Sequence, residues 1–362
     1  MRRGRVILKK SLFGDKHMCN IAGYVGQRRA APILIDMIRR QEGLAGGYYT
    51  GIATIHEGRI YYAKLTGYTD RLVSLTEAAD LPGNIGIIHT RSKSGGGDRW
   101  AHPFVSRQGG EIKLAYVANG SAGCFGIDDE QYIALARGLE ESGFVMESKD
   151  SVERRGYATL PDGQTAHMSD VMCQLIAREY DKGVEGAQAM AEAFCRMPNE
   201  IVGLALFADE PDRISWSRIN MPMSVAFCDH GAYLATAPCA FPADAGAHTQ
   251  LPACSSGHVT AESFGAVPYK KAPCKVASTT AGVVSRAYEV ICRELGEGER
   301  TRAQLKRAIK SCFESADCDG AAALAYEIIY DLQKCGKLNT EVRRVEGAAE
   351  GIDALKFYMR LK

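Results

Sequence analysis

The chain has 362 residues, enough for one large domain or two of ordinary size. Its 44 Lys+Arg against 43 Asp+Glu leave a net charge of +1, so composition supplies no general pull toward nucleic acid or anionic lipid. With 46% hydrophobic and 24% charged residues the mixture is globular rather than disordered, and the longest clean apolar run, 201–208, is far too short for a membrane-spanning helix.

Residues 1–17 crowd Arg2, Arg3, Arg5, Lys9, Lys10 and Lys16 around two short apolar patches, with no stretch long enough for a signal peptide. They read as a basic leader, or as sequence ahead of a true start at Met18. Loss of Met18, or a cut before Cys19, leaves that cysteine with a free α-amino group. Residues 19–26 then read as a strand with Ile21, Gly23 and Val25 on one face. Ile33, Leu34, Met37 and Ile38 recur at helical spacing behind Pro32, and Gly43, Gly46 and Gly47 end that helix.

Strands are predicted at 50–55 and 59–65 about a His56-Glu57-Gly58 turn, and again at 85–90 and 112–117. The glycine-rich run 92–98 between the last two reads as a binding loop. Helices follow at 131–141, capped by Asp128 or Asp129, at 171–180, capped by Ser169 or Asp170, and at 186–197. Strands resume at 201–208 and 213–217, and 224–228 with 232–236 form a hairpin across Asp229-His230-Gly231. Strands, then helices, then strands predict an α+β sandwich with sheets and helices in layers.

The character changes near Lys270, where Lys271, Lys275, Pro268 and Pro273 mark a linker. Helical patterns at 285–295, 302–312 and 321–335, a turn at 336–339 and a short strand at 342–345 outline a winged helix over 280–362. Arg300, Arg302, Lys306, Arg307 and Lys310 follow Glu289, Glu294, Glu297 and Glu299, a mixed charge that suits a protein contact better than DNA. The twelve cysteines, from Cys19 to Cys335, form no CxxC pair and no Cys/His cluster at zinc spacing. They are expected to be reduced thiols of a cytoplasmic protein, with no metal or cofactor.

Three segments carry the chemistry: Met18-Cys-Asn-Ile-Ala-Gly-Tyr-Val-Gly26; Gly86-Ile-Ile-His-Thr-Arg91 with Ala101-His-Pro-Phe-Val-Ser106; and Tyr116-Val-Ala-Asn-Gly120. In shared order and spacing they resemble the class II glutamine amidotransferases, N-terminal-nucleophile hydrolases, and in particular the glutaminase half of glucosamine-6-phosphate synthase. Gly47-Tyr-Tyr-Thr-Gly-Ile-Ala53 is similar to a fourth stretch of that family; the resemblance covers roughly 18–265 and implies a domain over 19–268. It implies a four-layer αββα sandwich of antiparallel sheets. It also implies that the Cys19 thiolate attacks the side-chain amide of L-glutamine to give a glutamyl thioester.

An α-amine titrates near 7.7–8, so the amine of a terminal Cys19 can take the thiol proton and return it to ammonia. On the resemblance, the Asn119 side chain and Gly120 N–H form the oxyanion hole, and Arg91 holds the substrate α-carboxylate. His102 shapes the active-site loop, and Ser94 stands at the family's threonine. The family's tryptophan after the arginine is replaced by Ser92. Its acidic residue for the substrate amine falls on Met168, with Asp170 the nearest carboxylate.

Only about ninety residues follow Lys270, too few for a sugar-isomerase pair. The expectation is therefore a glutaminase subunit, in a homo- or hetero-oligomer, that passes ammonia to a separate synthase chain. The alternative is a glutamine-sensing protein with a weak catalytic domain and a winged helix that contacts DNA or protein.

Overall fold

The computed structural model describes residues 19–93, 95–121, 126–151, 157–314, 316 and 318–362; the leader and Ser94 lie outside them. Period-two alternation dominates the first half of the chain. It builds an antiparallel seven-stranded sheet from β1 (Asn20–Gly26), β2 (Tyr49–His56), β3 (Arg59–Thr66), β4 (Ile85–Arg91), β9 (Ser224–Cys228), β10 (Gly231–Ala235) and β11 (Thr249–Gln250). Their order is β11-β9-β10-β1-β4-β2-β3, which puts β1 near the centre. A second antiparallel sheet has six strands: β5 (Phe104–Gln108), β6 (Glu111–Ser121), β7 (Glu200–Phe207), β8 (Ile214–Arg218), β12 (Ser255–Val259) and β13 (Val267–Pro268). Its order is β13-β12-β8-β7-β6-β5.

The two faces of each sheet bury different things. Ile21, Val25 and Ile87 of the first sheet meet Val117, Val202, Leu204 and Trp216 of the second. Gly23 sits among them, and a Cβ there would come 3.2 Å from Ile214, Leu204 and Leu234. The missing side chain lets the sheets approach at β1. On its other face β1 presents Ala22 and Tyr24 to α1 (Ala30–Gln41), through Leu34, Ile35 and Ile38. The second sheet turns Tyr116, Ala205 and Phe207 toward α4 (Met168–Tyr180) and α5 (Gly186–Arg196). The layers therefore run helix, sheet, sheet, helix, with α2 (Thr69–Leu75) beside α1 and α3 (Asp129–Glu141) beside α4.

Local signals set most boundaries. Glu57 and Gly58 both adopt positive φ in the two-residue β2–β3 turn, the conformation that matches strand twist. Asp128 caps α3 in a reciprocal pair with Gln131. The cap of α4 differs from expectation: neither Ser169 nor Asp170 serves. The helix starts one turn earlier, at Met168, with the His167 ring accepting from Ser169 N at 3.0 Å. Histidine is not among the preferred capping residues, so the sequence does not mark this start.

After residue 270 come α6 (Ala281–Glu297), α7 (Arg302–Ala308), α8 (Ala321–Lys334) and a hairpin of β14 (Leu338–Glu346) with β15 (Asp353–Leu361). The short strand expected at 342–345 is thus half of a nine-residue ribbon, and its partner went unrecognised. The apolar residues of this segment, among them Ala287, Ile291, Leu305 and Ile329, run into the same core as the inter-sheet residues. Arg302, one of the basic residues whose mixed charge suggests a protein contact, is 2% exposed, with its guanidinium 5.2 Å from the Tyr326 ring.

Candidate active site

Cys19 stands immediately before β1, at the end of the sandwich where β1, β4 and β6 converge. It is buried, and the polar atoms around it come from Asn119 of β6 and from Ser92 just past β4. The Asn119 amide clasps the cysteine backbone: Cys19 N donates to Asn119 Oδ1 at 3.3 Å, and Asn119 Nδ2 donates to Cys19 O at 2.7 Å. Nδ2 carries two hydrogens, so one remains for another acceptor. Gly120 follows as the next, exposed residue of β6. Ser92 N, just past β4, donates to Cys19 Sγ at 3.4 Å, with Ser92 Oγ at 3.8 Å. Burial raises the Cys19 thiol, and the Ser92 N–H, the Arg91 charge and the Arg302 charge oppose that rise. Two arginines and a backbone donor thus favour a thiolate that the apolar surroundings resist.

Arg91 ends β4 and is 1% exposed. Its two terminal nitrogens donate to the carbonyls of Gly95 and Trp100, and its guanidinium lies 4.1 Å from the Tyr49 ring. The glycine-rich loop therefore folds back over the arginine, and Tyr49 OH fixes it further through Gly96 O at 2.9 Å. Trp100 is itself buried, with Nε1 on Ser148 O at 2.7 Å. Sequence reasoning noted the missing aromatic after Arg91 but passed over Trp100, which reaches the same guanidinium from the far end of the loop. The His102 and His89 rings lie tilted against each other behind them, their centroids 3.9 Å apart. Burial, the other ring and the Arg91 charge hold His102 far below its usual range, and burial with the Arg91 charge lowers His89 to about 3. Both rings are neutral spacers rather than proton carriers near pH 7.

Asp170 is fully buried in the first turn of α4, where Oδ2 accepts from Ser148 N at 2.7 Å and Oδ1 from Gln174 Nε2 at 3.0 Å. The first bond ties α4 to the 146–150 segment, and the second runs one turn along α4 itself. Met168, at the position the resemblance assigns to a carboxylate, takes a 3.4 Å contact from Asn199 Nδ2.

Beneath the site lies Glu42, at the end of α1, accepting from Thr69 N and Thr69 Oγ1 at 2.8 Å and from Thr90 Oγ1 at 3.5 Å. Burial pushes its carboxyl from 4.5 up to about 7 against those donors. The neutral form is the one the fold accommodates. Its contribution to stability is therefore full below the unfolded value and is lost as pH rises through about 7. Glu42→Gln keeps an acceptor for Thr69, and is expected to flatten that loss by about 3 kcal/mol. Calorimetric Tm values from about pH 5 to 8 would show it, and a curve parallel to wild type would refute it.

The C-terminal segment closes this end of the sandwich. Tyr326 OH on α8 donates to Asn20 Oδ1 at 2.9 Å, one residue from the nucleophile candidate. Phe357 N on β15 donates to Gly43 O at 2.8 Å, and Glu346 on β14 pairs with Lys93 of the glycine-rich loop at 2.8 Å. None of these partners carried a motif. They are legible only once the chain is folded.

No family model matches the chain. Among curated proteins it is 30% identical over 210 residues to the glutamine–fructose-6-phosphate aminotransferase of Pyrococcus horikoshii, covering 58% of this chain and 30% of that one. It is 29% identical over 227 residues to the enzyme of the same name from Streptomyces coelicolor, covering 62% and 32%. The chain is related to the class II glutamine amidotransferases. It spans about a third of the length of those curated relatives. Glutamine phosphoribosylpyrophosphate amidotransferase from B. subtilis superposes with a TM-score of 0.55 at 14% identity, over 76% of this chain and 58% of that one. An allosteric regulatory enzyme of purine biosynthesis gives 0.56 at 16%, with the same coverage. These likenesses show the fold alone: two antiparallel sheets packed between helical layers.

Against that amidotransferase background, the structure brings Cys19, Asn119, Gly120 and Arg91 to one end of the sandwich, with His102 behind the loop. A two-pronged carboxylate contact at Arg91 competes with the Gly95 and Trp100 carbonyls, which take one N–H of each terminal nitrogen. Asp170 has both oxygens engaged elsewhere. Among the described residues no helix is long and apolar enough to cross a membrane.

Proposed function

We propose that this chain hydrolyses L-glutamine to glutamate and ammonia through Cys19, and hands the ammonia to a separate synthase chain. The observation that carries the reading is the clasp of Asn119 on both backbone atoms of Cys19, with the Ser92 N–H on its sulfur. This arrangement supports an amide hydrolase whose nucleophile and base share one residue. Freed of residues 1–18, the Cys19 nitrogen is an amine that takes the thiol proton directly or through one water. The thiolate adds to the glutamine amide carbon. The second Asn119 Nδ2 hydrogen and the Gly120 N–H then hold the oxyanion of the tetrahedral intermediate.

Collapse expels ammonia, which leaves with the proton the amine had taken, and water releases glutamate from the thioester. Arg91 takes the substrate α-carboxylate as the loop carbonyls yield, a two-pronged contact suited to a planar guanidinium. Ser92 N–H and the two arginine charges keep the sulfur available as thiolate between steps. The C-terminal segment covers the site end of the sandwich, which supports a role in excluding water and receiving the synthase rather than in binding DNA. The inward turn of Arg302 removes one charge from the basic set that the DNA reading used.

Protein beginning at Cys19 is expected to form glutamate and ammonia from glutamine in equal amounts, with little action on asparagine. Enzymatic assay of both products tests the reading. Absence of glutamate at saturating glutamine, from folded protein with a sequenced Cys19 terminus, would end it.

A further inference from the structure

At the far end of β1 from Cys19, the fold assembles three groups that the sequence keeps apart. Cys228 ends β9, His230 is the second residue of the two-residue hairpin loop, and Asp244 comes from the loop after β10. One donor atom from each lies within 4.8 Å of the other two. The expectation of no Cys/His cluster at zinc spacing overlooked this set, because Cys228-Asp-His230 is a hairpin turn and its third member lies fourteen residues on. We propose that Cys228, His230 and Asp244 form a binding site for a borderline divalent cation, Zn²⁺ in particular.

A tetrahedral zinc ion with bonds of about 2.0–2.3 Å needs its ligand atoms roughly 3.3–3.8 Å apart. His230 Nε2 and Asp244 Oδ2 stand at 3.0 Å, so they need to part by less than about 1 Å. A thiolate, an imidazole and a carboxylate together suit zinc better than the harder magnesium or calcium.

The histidine is already oriented for the task. Its other nitrogen, Nδ1, is 2.9 Å from Tyr24 Oη, while that hydroxyl is 3.0 Å from His230 O and accepts from Arg28 N at 3.1 Å. With the Tyr24 proton on the carbonyl, Nδ1–H donates to Tyr24 and Nε2 turns its lone pair toward Asp244 and Cys228. Metal-binding histidines are commonly held this way through their second nitrogen. The Tyr233 hydroxyl lies 3.2 Å from Nε2 and 3.0 Å from Asp244 Oδ1. The hydroxyl donates to that carboxylate oxygen. That leaves the fourth position to water on the side where Asp244 is 46% exposed. Arg28 approaches Asp244 at 4.0 Å and opposes a cation, but its side chain is 64% exposed and screened.

Gly231 pairs with Gly26 at the end of β1, and seven residue steps at about 3.3 Å each put the cluster about 23 Å from Cys19. The ion's work is therefore structural: it pins the β9–β10 hairpin to the loop that carries Asp244.

The test is titration of the full chain, stripped with chelator and kept reduced, with Co²⁺ followed by Zn²⁺ competition. One equivalent of Co²⁺ with a thiolate charge-transfer band is expected, lost in Cys228→Ser. Zn²⁺ is expected to raise Tm in wild type and not in that variant. Tyr24→Phe, which leaves all three ligands in place, is expected to weaken binding roughly tenfold or more. Failure to bind either ion would overturn the proposal, and so would binding that survives both Cys228→Ser and His230→Gln. In that event the cluster is a closed Tyr24–His230–Asp244 hydrogen-bonded set. None of these readouts depends on glutamine hydrolysis.

Discussion

Cys19→Ala, in protein that starts at residue 19, is expected to bring glutamate release down to the rate of buffer, at least about a thousandfold below wild type. The same chain with residues 1–18 attached is expected to fall by roughly a hundred- to ten-thousandfold, because its Cys19 nitrogen is then an amide and no longer a base. The two variants separate two contributions. Alanine removes the bond-forming sulfur; the retained leader keeps the sulfur and removes the proton acceptor. Alkylation by iodoacetamide distinguishes them further, since the leader-bearing protein should still be modified at Cys19 while the alanine variant cannot be. Hydrolysis at an undiminished rate by leader-bearing protein, verified by mass spectrometry, would refute the amine as base. Loss of activity in that form with Cys19 alkylation intact would support it.

The strands around the site were readable because their cause is local. Ile21, Gly23 and Val25 alternate with Ala22 and Tyr24, and each set has a different neighbour in the structure, the opposite sheet or α1. The same holds for Asn119, which could be placed at the end of an apolar strand before any fold was known. What the sequence conceals is long-range. Nothing about Gly95 or Trp100 announces that their carbonyls receive Arg91, since a backbone acceptor has no residue signature. Asp170 illustrates the opposite hazard: a carboxylate near the right position draws a substrate role, while its actual partners are Gln174, one turn along the same helix, and Ser148 N, which only the packing of α4 brings to it.

The C-terminal segment shows the limit most plainly. Its helices follow from their periodicity, and Lys270–Lys275 reads as a linker, but no local pattern tells that Leu305, Ile329 and Met359 share one core with the inter-sheet residues, or that Tyr326 reaches Asn20 across 306 positions. β15 was missed because residues 353–361 hold Lys356 and Arg360 among apolar residues, giving a weak strand signal until β14 supplies the pairing. Charge count alone also misled: Arg302 counts as one more positive residue in sequence, yet in the fold it is a buried cation that favours the thiolate of Cys19.

Asn119→Ala is expected to lower kcat by about a hundred- to a thousandfold while KM for glutamine moves little. The amide does two things, and the prediction turns on which dominates. In the resting structure it holds the backbone of Cys19 at 3.3 and 2.7 Å, a pair of contacts whose loss would let the nucleophile drift. In the tetrahedral intermediate its spare Nδ2 hydrogen meets charge that the ground state lacks, and such a contact lowers the barrier without tightening substrate binding. If drift dominates, iodoacetamide should react with Cys19 at an altered rate in Asn119→Ala, in step with the loss of turnover. If oxyanion stabilisation dominates, alkylation should stay near wild type, because displacement at the alkylating carbon forms no oxyanion, while amide hydrolysis collapses. The second pattern is the expected one. A drop in kcat of less than about tenfold would remove Asn119 from the catalytic machinery altogether.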